Sequence, residues 1–363
     1  PVYKPTIGNL EKEYVNDCLD SSWISSKGKY VELFEREFSD ATDTAYATSV
    51  CNGTVALHLA LLALGVGEGD EVIVPTFTYI ASVNCIEYVG ATPVFVDCLE
   101  DTWQLDPEDV RKRITSKTKA IVAVHLYGHP AEMSDILSIA KENGVFVVED
   151  CAEAFGSLYE GKHVGGFGDI ATYSFFGNKT ITCGEGGMVV TNNETLHDRC
   201  KSIKGQGLAT HRQYWHDIIG YNYRMTNICA AIGYAQLQRK EETISRKRQI
   251  AEIYKEQFDG TSISYHKEKE NVYHSYWMFS VIMQINEKER DLIRDALYEK
   301  GIETRPLFYP VHTMPIYSSK YEMHRVSEEI HRKGFNIPSY PELTNEQVLY
   351  IAESIKKLRK LEQ

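Results

Sequence analysis

Lys179 is the only basic residue in the segment Ser174–Gly187, where its neighbours are small, polar or aromatic. A lysine held in a dry, tight loop has a depressed pKa, and its amine can then bond covalently to a carbonyl group. An exposed lysine stays protonated and unreactive, and most single lysines are solvated surface charges. The residues around Lys179 therefore decide between an amine that binds an aldehyde cofactor and an ordinary surface lysine.

Two acidic residues follow a short apolar run upstream of this lysine. Val145–Val148 is predicted to be a buried strand of a parallel sheet, and it is followed by Glu149 and Asp150. Open α/β sheets bind ligands at the carboxyl ends of their strands. An acid there can pair with a pyridinium nitrogen, although an aspartate after a strand is also a common cap or turn residue. Together with Lys179, Asp150 points to pyridoxal 5′-phosphate (PLP), the commonest aldehyde of this kind.

A third feature could bind the phosphate of such a cofactor. Cys51–Leu57 begins with a small polar turn that contains Gly53 and Thr54, and it continues as an apolar helical pattern. Backbone amides at a helix N-terminus bind anions, and the hydroxyls of Thr54 and Ser174 could add two further ligands. An ordinary helix cap gives the same pattern, so both interpretations stay open at this point.

These motifs resemble those of the fold-type I, PLP-dependent sugar-nucleotide aminotransferases of the DegT/StrS group. The resemblance covers essentially the whole chain. It is carried by the segments Thr6–Tyr14, Ser22–Gly28, Asn52–Thr54, Pro75–Asn84, Glu149–Asp150, Ser174–Lys179, Gly184–Gly187, Gly220–Thr226 and Thr304–His312.

The resemblance implies a role for each residue around the cofactor ring. Lys179 matches the lysine that forms a Schiff base with PLP, and Asp150 matches the partner of the pyridinium nitrogen. Tyr79 matches an aromatic residue that stacks on the ring. Glu153 matches a position beside the 3-hydroxyl that is often Gln in relatives. A carboxylate there must be protonated or act through water, so we expect slightly different cofactor electronics.

The resemblance also implies how the phosphate is bound. Gly53, Thr54 and Ser174 match phosphate ligands of the same subunit, whereas Asn222 matches a ligand that the neighbouring subunit supplies. We therefore expect a homodimer or a higher homo-oligomer with shared active sites.

Segments outside the cofactor motifs indicate the substrate. Ser22–Gly28, Lys204–Gly207 and Arg305–Tyr309 resemble those of family members that aminate C4 of GDP-4-keto-6-deoxy-D-mannose. This implies a nucleotide-sugar substrate with L-glutamate as the amino donor. A keto sugar linked to UDP or dTDP is the alternative. The expected substrate contacts are Trp23, Ser25, Ser26, Lys27, Arg305 and, after a buried strand, His125.

Two other activities remain as alternatives to the aminotransferase. A PLP-dependent sugar dehydratase shares the fold but has His in place of the Schiff-base lysine, so Lys179 argues against it. A non-catalytic regulator would be distinguished by the absence of the colour of bound PLP. Phe308 stands where relatives commonly have His, which puts a His-based substrate contact there in doubt.

The composition argues against several other classes of protein. With 363 residues and a net charge of −12, the chain is long enough for two domains and too acidic for a nucleic-acid backbone binder. Its eight cysteines form no Cys-x-x-Cys pair and its histidines are dispersed, so we expect no metal centre. Gly165–Gly168 lacks the flanking strand and helix of a dinucleotide-binding loop. Without a signal-like or membrane-spanning run, we expect a cytoplasmic enzyme with no membrane or nucleic-acid partner.

The coarse secondary structure predicts an α/β fold with a doubly wound, mostly parallel sheet and a smaller α+β C-terminal domain. We expect a large PLP-binding domain of residues 1–240 and a small domain of residues 241–363. The predicted strands are Glu71–Pro75, Thr92–Asp97, Ala120–Val124, Val145–Val148 and Tyr276–Met283, with a hairpin-like stretch over Ile181–Thr191. The predicted helical runs are Ser82–Tyr88, Asp106–Ile114, Met133–Asn143, Thr226–Phe258, Glu287–Lys300 and Asn345–Leu361.

Overall fold

A computed structural model of the chain describes residues 1–209 and 211–360. The helices are α1 (Asn9–Asp20), α2 (Lys29–Ala41), α3 (Gly53–Leu64), α4 (Ala81–Tyr88), α5 (Pro107–Arg113), α6 (Met133–Asn143), α7 (Glu194–Lys204), α8 (Asn227–Leu237), α9 (Lys240–Phe258), α10 (Glu287–Glu299), α11 (Arg325–Lys333) and α12 (Asn345–Lys360). The strands are β1 (Tyr46–Val50), β2 (Glu71–Pro75), β3 (Thr92–Val96), β4 (Thr118–Val124), β5 (Phe146–Asp150), β6 (Leu158–Tyr159), β7 (Lys162–His163), β8 (Ile170–Ser174), β9 (Gly187–Thr191), β10 (Ile263–Tyr265), β11 (Val272–Tyr273), β12 (Phe279–Met283), β13 (Arg305–Pro306) and β14 (Gly334–Ile337).

The central sheet is almost entirely parallel. Among the described residues it has seven strands in the order β1-β9-β8-β5-β4-β2-β3. Parallel pairings join β8, β5, β4, β2 and β3, whereas β9 pairs antiparallel with both β8 and β1. Every strand of this sheet except β9 therefore ends at the same edge, and the turns that follow these strands share that edge.

Helices cover both faces of this sheet. Neighbouring residues of a strand point to opposite faces, so Val147 joins one buried cluster and Val148 joins the other. The first cluster contains residues of α2, α6 and α8, and the second contains residues of α3, α4 and α7. Because the strands are buried on both faces, they appear in the sequence as continuous apolar runs. The prediction of a doubly wound, mostly parallel sheet is confirmed.

The C-terminal part of the chain has a sheet and a core of its own. Its strands follow the order β10-β12-β14-β13 and pair antiparallel. Tyr254 of α9, Ile293 of α10 and Val348 of α12 belong to one buried cluster with Phe279 of β12. The predicted smaller α+β domain is confirmed, while its boundary at residues 240 and 241 stays a prediction. A small sheet pairs β11 with β6 and so joins the two parts of the chain.

Most predicted elements are present with small shifts at their ends, but three differ. The hairpin-like stretch Ile181–Thr191 is wrong, because β9 begins only at Gly187 and pairs with β8, a strand that the sequence pattern did not reveal. Lys179 lies in the connection between these two strands. The helical run Thr226–Phe258 is divided into α8 and α9, and the strand predicted from Tyr276 begins at Phe279.

Leu361, the predicted end of α12, lies outside the described residues, as do residues 362 and 363 of the predicted small domain. Among the helices that are described, none combines the length and the apolar character needed to cross a membrane.

Candidate active site

The residues predicted to surround a cofactor lie at the carboxyl edge of the central sheet. Asp150 is the last residue of β5, Ser174 is the last residue of β8, and Tyr79 follows β2. Gly53 begins α3, shortly after the end of β1 at Val50. Because these strands end at one edge, side chains that are far apart in the sequence come together there.

The amine of Lys179 lies in a dry environment. Its side chain is 12% exposed, and Nζ lies 3.7 Å from Oε1 of Glu153 and 3.9 Å from the ring centroid of Trp277. Burial lowers the pKa of Lys179, and the negative charges of Glu153 and Asp150 oppose this shift. The amine is therefore more easily deprotonated than a surface lysine, as carbonyl chemistry requires.

Glu153 is the acidic partner of this amine. Its pKa is raised to about 7 by burial, while the charge of Lys179 and the amide of Tyr127 act in the opposite direction. The amide of Tyr127 donates to Oε2 at 2.8 Å. Burial thus disfavours the charged forms of both Glu153 and Lys179, and their mutual attraction restores only part of this cost.

Asp150 is fixed at the end of β5 by two donors. Its Oδ2 accepts a hydrogen bond from Oγ of Ser82 at 2.7 Å, and Oδ1 accepts one from the amide of Ala152 at 3.1 Å. The side chain is buried. The two bonds orient a carboxylate at the strand end, where a cationic ring nitrogen could pair with it.

Glu149, the other acid at this strand end, is bound to the backbone instead. Its Oε1 accepts the amides of Phe167 at 2.8 Å and Gly168 at 2.7 Å, and its Oε2 accepts the amide of Gly165 at 2.7 Å. The glycine-rich segment that partly resembles a dinucleotide loop therefore holds an internal carboxylate. Nε2 of His125 lies 3.1 Å from Oε2 and completes this arrangement.

The structure contradicts His125 as a substrate contact. Its side chain has no exposed surface, and its Nδ1 accepts the amide of Ala131 at 2.9 Å while Nε2 faces Glu149. The sequence correctly indicates a position at the end of β4, but the ring points into the core. His125, Glu149 and Cys151 have ligand atoms within 4.8 Å of one another. The amides bonded to Glu149 indicate a structural carboxylate rather than a metal ligand.

Gly53 and Ser174 form a cradle at the start of α3. A Cβ atom at Gly53 would lie 2.6 Å from Cβ of Ser174, so only glycine allows the helix to begin this close to β8. Asn52 caps the helix, because its Oδ1 accepts the amide of Val55 at 3.0 Å. Within the described residues, the amides of Gly53 and Thr54 donate to no carbonyl or side chain. These donors are available to an anion.

Tyr79 stands at the open side of this edge. Its side chain is 57% exposed, and its ring centroid lies 5.7 Å from that of Phe308. Phe308 stacks on the buried ring of Tyr127 with 5.2 Å between centroids, and its amide donates to the Tyr127 hydroxyl at 3.0 Å. Phe308 therefore forms part of an aromatic wall and offers no polar side-chain contact to a substrate.

The predicted substrate loop lies between α1 and α2 and is anchored by Asn227. The amide of Asn227 donates to the Ser25 carbonyl at 2.6 Å, and its Nδ2 donates to the Trp23 carbonyl at 2.7 Å. Trp23, Ser26 and Lys27 line an open cavity of about 710 Å³. In the part of the chain that the structure describes, no hydrogen bond or ion pair joins this loop to Lys179 or Asp150.

Arg305 and Asn222 also lie outside the immediate surroundings of Lys179. Arg305 is exposed on β13, with Nε 3.6 Å from the Glu303 carboxylate. Asn222 is exposed, and its Oδ1 accepts a hydrogen bond from Nε of Arg224 at 3.0 Å. Their roles toward a substrate and a phosphate stay predictions.

Three residues at the site could not be, or were not, predicted from the sequence: Ser82, Trp277 and Tyr3. Ser82 lies within the motif Pro75–Asn84, and its hydroxyl, three residues after Tyr79, is the signal that could have indicated it. Trp277 lies in an apolar run that is typical of a core strand, and Tyr3 lies near the start of the chain with no motif around it. The tertiary contacts of Trp277 and Tyr3 with the Lys179 loop could not be read from spacing.

The donor set at this edge fits PLP. The buried amine of Lys179 can bond to the aldehyde, and the fixed carboxylate of Asp150 can pair with the pyridine nitrogen. The helix amides beside Ser174, unpaired among the described residues, can bind the phosphate. Asp150 pairs in the sheet with Thr172, two residues before Ser174 in the chain, so the carboxylate and the cradle are on neighbouring strands. The assignments of the individual residues stay predictions.

Comparison with known proteins shows the class of this protein. The model of the DegT/DnrJ/EryC1/StrS aminotransferase family matches residues 5–356, and the chain belongs to that family. It is a PLP-dependent sugar aminotransferase, and the predicted fold, enzyme class and cofactor are confirmed.

Individual members of the family show which sugar aminotransferases this chain is similar to. GDP-perosamine synthase of Escherichia coli O157:H7 is 62% identical over 98% of both chains. GDP-perosamine synthase of Vibrio cholerae is 49% identical, also over 98% of both chains. Among solved structures, a Streptococcus pneumoniae protein assigned as a sugar aminotransferase, in its PLP form, superposes with a TM-score of 0.96 at 29% identity over 99% of this chain and 98% of that chain.

Proposed function

We propose that this enzyme transfers the amino group of L-glutamate to C4 of GDP-4-keto-6-deoxy-D-mannose, giving GDP-perosamine and 2-oxoglutarate. The observation that carries the proposal is the 62% identity, over 98% of both chains, to a protein named GDP-perosamine synthase. We place the product in the synthesis of a surface polysaccharide such as an O-antigen, within the cytoplasm.

Lys179, Asp150 and Glu153 each have a separate role in the proposed reaction. Bound PLP supplies an aldehyde that takes up the amino group and a ring that delocalises negative charge. Lys179 holds the cofactor through its ε-amine and, once displaced by the donor, moves a proton between the donor's α-carbon and C4′. Asp150 keeps the ring nitrogen protonated. Glu153, with its raised pKa, gives or accepts a hydrogen bond at the 3-oxygen.

The phosphate and the sugar nucleotide use different parts of the edge. Gly53, Thr54 and Ser174 bind the cofactor phosphate, and Tyr79 stacks its exposed ring on the pyridine face. The residues proposed to contact the nucleotide sugar are Trp23, Ser25, Ser26, Lys27 and Arg305. The open cavity beside the loop between α1 and α2, which carries the first four, supports this assignment. Lys27 and Arg305 can pair with the diphosphate.

The proposed active unit is a homodimer in which Asn222 reaches the phosphate of the other subunit. Tyr221 and Tyr223 turn toward His58 of their own chain, whereas Asn222 between them faces outward. In the preceding loop, Tyr214 is 92% exposed and Ile219 is 90% exposed. Large apolar side chains with so little cover support a protein partner on this side, and a second subunit is the partner that a shared site requires.

The substrate assignment is tested by comparing nucleotides. The purified enzyme is given L-glutamate with a GDP-, UDP- or dTDP-linked 4-keto sugar, and the amino sugar and 2-oxoglutarate are quantified by mass spectrometry. We expect the GDP sugar to be turned over with the highest kcat/KM and the Lys179→Ala variant to form no product. A clear preference for a UDP or dTDP sugar would overturn the substrate and leave the aminotransferase class intact.

A further inference from the structure

The loop that carries Lys179 is held by residues from outside the central sheet. Within the loop, the amide of Lys179 donates to the Phe176 carbonyl at 2.9 Å. From outside it, the hydroxyl of Tyr3 donates to the Lys179 carbonyl at 2.6 Å, and Nε1 of Trp277 donates to the Asn178 carbonyl at 2.7 Å. Two successive carbonyls of the loop, those of Asn178 and Lys179, are thus fixed by distant parts of the chain.

Trp277 also contacts the reactive atom itself. Nζ of Lys179 lies 3.9 Å from its ring centroid, well within the range of a cation–π interaction. The indole is almost fully buried, so water screens this attraction little. The carboxylates that face the amine are Glu153, with Oε1 3.7 Å away, and Asp150 at the end of β5. The aromatic face thus adds to these carboxylates a second kind of contact for the amine.

Trp277 is itself positioned by a fully buried amine. Nζ of Lys247, on α9, donates to the Trp277 carbonyl at 3.2 Å and to the Ser339 carbonyl at 2.9 Å, and it lies 5.2 Å from the ring centroid of Tyr3. Among the described residues, Lys247 forms no ion pair. Burying an amine without a carboxylate costs free energy unless its N–H groups form hydrogen bonds. Here they fix the backbone of Trp277, and Tyr3, the other residue that holds the loop, packs beside this amine.

We propose that the ring of Trp277 binds the ε-amino group of Lys179 through a cation–π contact whenever that amine is free. We further propose that Lys247 positions Trp277 for this role. The proposal rests on the proposed function, because the amine is released when the donor binds in the first half-reaction and stays free until the second half-reaction ends. A released lysine must stay close to C4′ to move the proton. The ring face keeps the ammonium near its site without forming a bond that must later be broken.

The test measures the titration of Lys179 in the holoenzyme that contains pyridoxamine phosphate, where the amine is free. Competitive labelling with acetic anhydride across a pH series, read by peptide mass spectrometry, gives the midpoint for Lys179. Because a cation–π contact favours the ammonium, Trp277→Leu is expected to lower this midpoint by on the order of half to one pH unit. Trp277→Phe is expected to lower it less. An unchanged or raised midpoint in Trp277→Leu would overturn the proposal.

Trp103→Leu is the matched control. Trp103 is equally buried and packs against Tyr127 and His266, without a contact to Lys179. We expect this variant to lose thermal stability and to keep the wild-type midpoint. A shift as large as that of Trp277→Leu would show that lost packing, not the ring face, sets the midpoint.

Lys247→Met tests the positioning role. The substitution keeps an unbranched side chain of similar length and removes the donors to the carbonyls of Trp277 and Ser339. A purely structural role would lower the melting temperature alone. We expect the Lys179 midpoint to fall as well, by less than in Trp277→Leu, and kcat to fall while KM for the keto sugar is kept. An unshifted midpoint would contradict the positioning role. The labelling needs no sugar substrate, so a wrong substrate assignment leaves its result interpretable.

Discussion

At the scale of single residues, the chemistry depends on one amine that the fold keeps dry. Burial lowers the pKa of Lys179 and raises that of Glu153 to about 7, so burial disfavours the charged form of each group. The ring of Trp277 lies against the same amine. The reactivity of Lys179 is therefore a property of its surroundings, Glu153, Asp150 and Trp277, and not of its sequence motif alone.

Lys179 should be the residue that is covalently attached to the cofactor. Borohydride reduction of the holoenzyme is expected to fix the cofactor on the tryptic peptide that contains Lys179, and Lys179→Ala is expected to lower kcat by a thousandfold or more, on the order seen for removal of a covalent catalyst. Lys162→Ala is the control, because the Lys162 amine donates to the Gly166 carbonyl at 2.7 Å and lies over the ring of Phe167, and neither contact involves Lys179. An adduct on another lysine would refute the assignment.

Glu153 should make stability depend on pH. Its pKa of about 7 in the folded chain lies above the ordinary value of 4.5, so the folded state binds the proton more tightly. The stability from this group is complete below pH 4.5 and is lost as the pH rises through 7. Glu153→Gln should remove this loss, so that at pH 8 the variant exceeds the wild type by on the order of 1–3 kcal/mol.

Urea unfolding of the cofactor-free chain between pH 4 and pH 8 measures this effect. The exposed Glu13→Gln is the control, because it removes a carboxylate that water already solvates. Parallel stability curves for wild type and Glu153→Gln would contradict the prediction.

At the scale of elements, the site exists because the strand ends share one edge. Asp150 ends β5, Ser174 ends β8, and α3 begins right after β1 with Gly53 against Ser174. No single element contains a complete site. A change at the contact between α3 and β8 should therefore alter cofactor binding without touching the reactive lysine.

Gly53→Ala tests this contact. The new Cβ would lie 2.6 Å from Cβ of Ser174, and both atoms belong to short, stiff side chains, so α3 must move away from the cradle. We expect the affinity for PLP to fall by tenfold or more, about 1.4 kcal/mol or more, in a spectroscopic titration of the apoenzyme. Gly67→Ala, just beyond the other end of α3, meets only the Val89 carbonyl at 3.8 Å and should bind PLP normally. Equal affinities in the two variants would contradict the prediction.

Much of the fold could be predicted because the buried strands are continuous apolar runs. Glu71–Pro75 and Met133–Asn143 have the predicted bounds, since a continuous apolar run and the period of an amphipathic helix each have clear ends. The strand β8 was missed because Ile170–Ser174 is polar at two of its five positions and so does not form a continuous apolar run. Its partner β9 was predicted to begin too early, because the residues before Gly187 have a strand-like sequence pattern. In the structure, the backbone hydrogen bonds of the Lys179 loop form turns instead.

The site could be predicted only where a motif corresponds to local geometry. Gly53, Asp150 and Ser174 are brought together at one edge because each lies next to the end of a strand. His125 met the same criterion and was wrong, because the turn that follows β4 directs its ring toward the buried Glu149. Trp277 could not be predicted, since its contact with Lys179 arises from the packing of the small domain.

At the scale of the whole molecule, the outward position of Asn222 bears on whether two subunits share each active site. Tyr221 and Tyr223 stack on each other at 4.8 Å and face their own chain, so the residue between them must face away. If Asn222 binds the phosphate of a second subunit, each active site combines Lys179 of one chain with Asn222 of the other. A symmetric dimer would then hold two such mixed sites.

Complementation between two defective chains tests this arrangement. Lys179→Ala and Asn222→Ala are each expected to be strongly impaired. In a randomly mixed population about half of the dimers are mixed, and one of the two sites in each mixed dimer has both residues intact. Activity should therefore recover to about a quarter of the wild-type value, by the symmetry of a two-fold dimer. Lys179→Ala mixed with the double variant Lys179→Ala/Asn222→Ala is the control, and it should recover nothing because every site lacks the lysine. Activity equal to the sum of the separate variants, or a fully active monomer in sedimentation, would show that each chain builds its site alone.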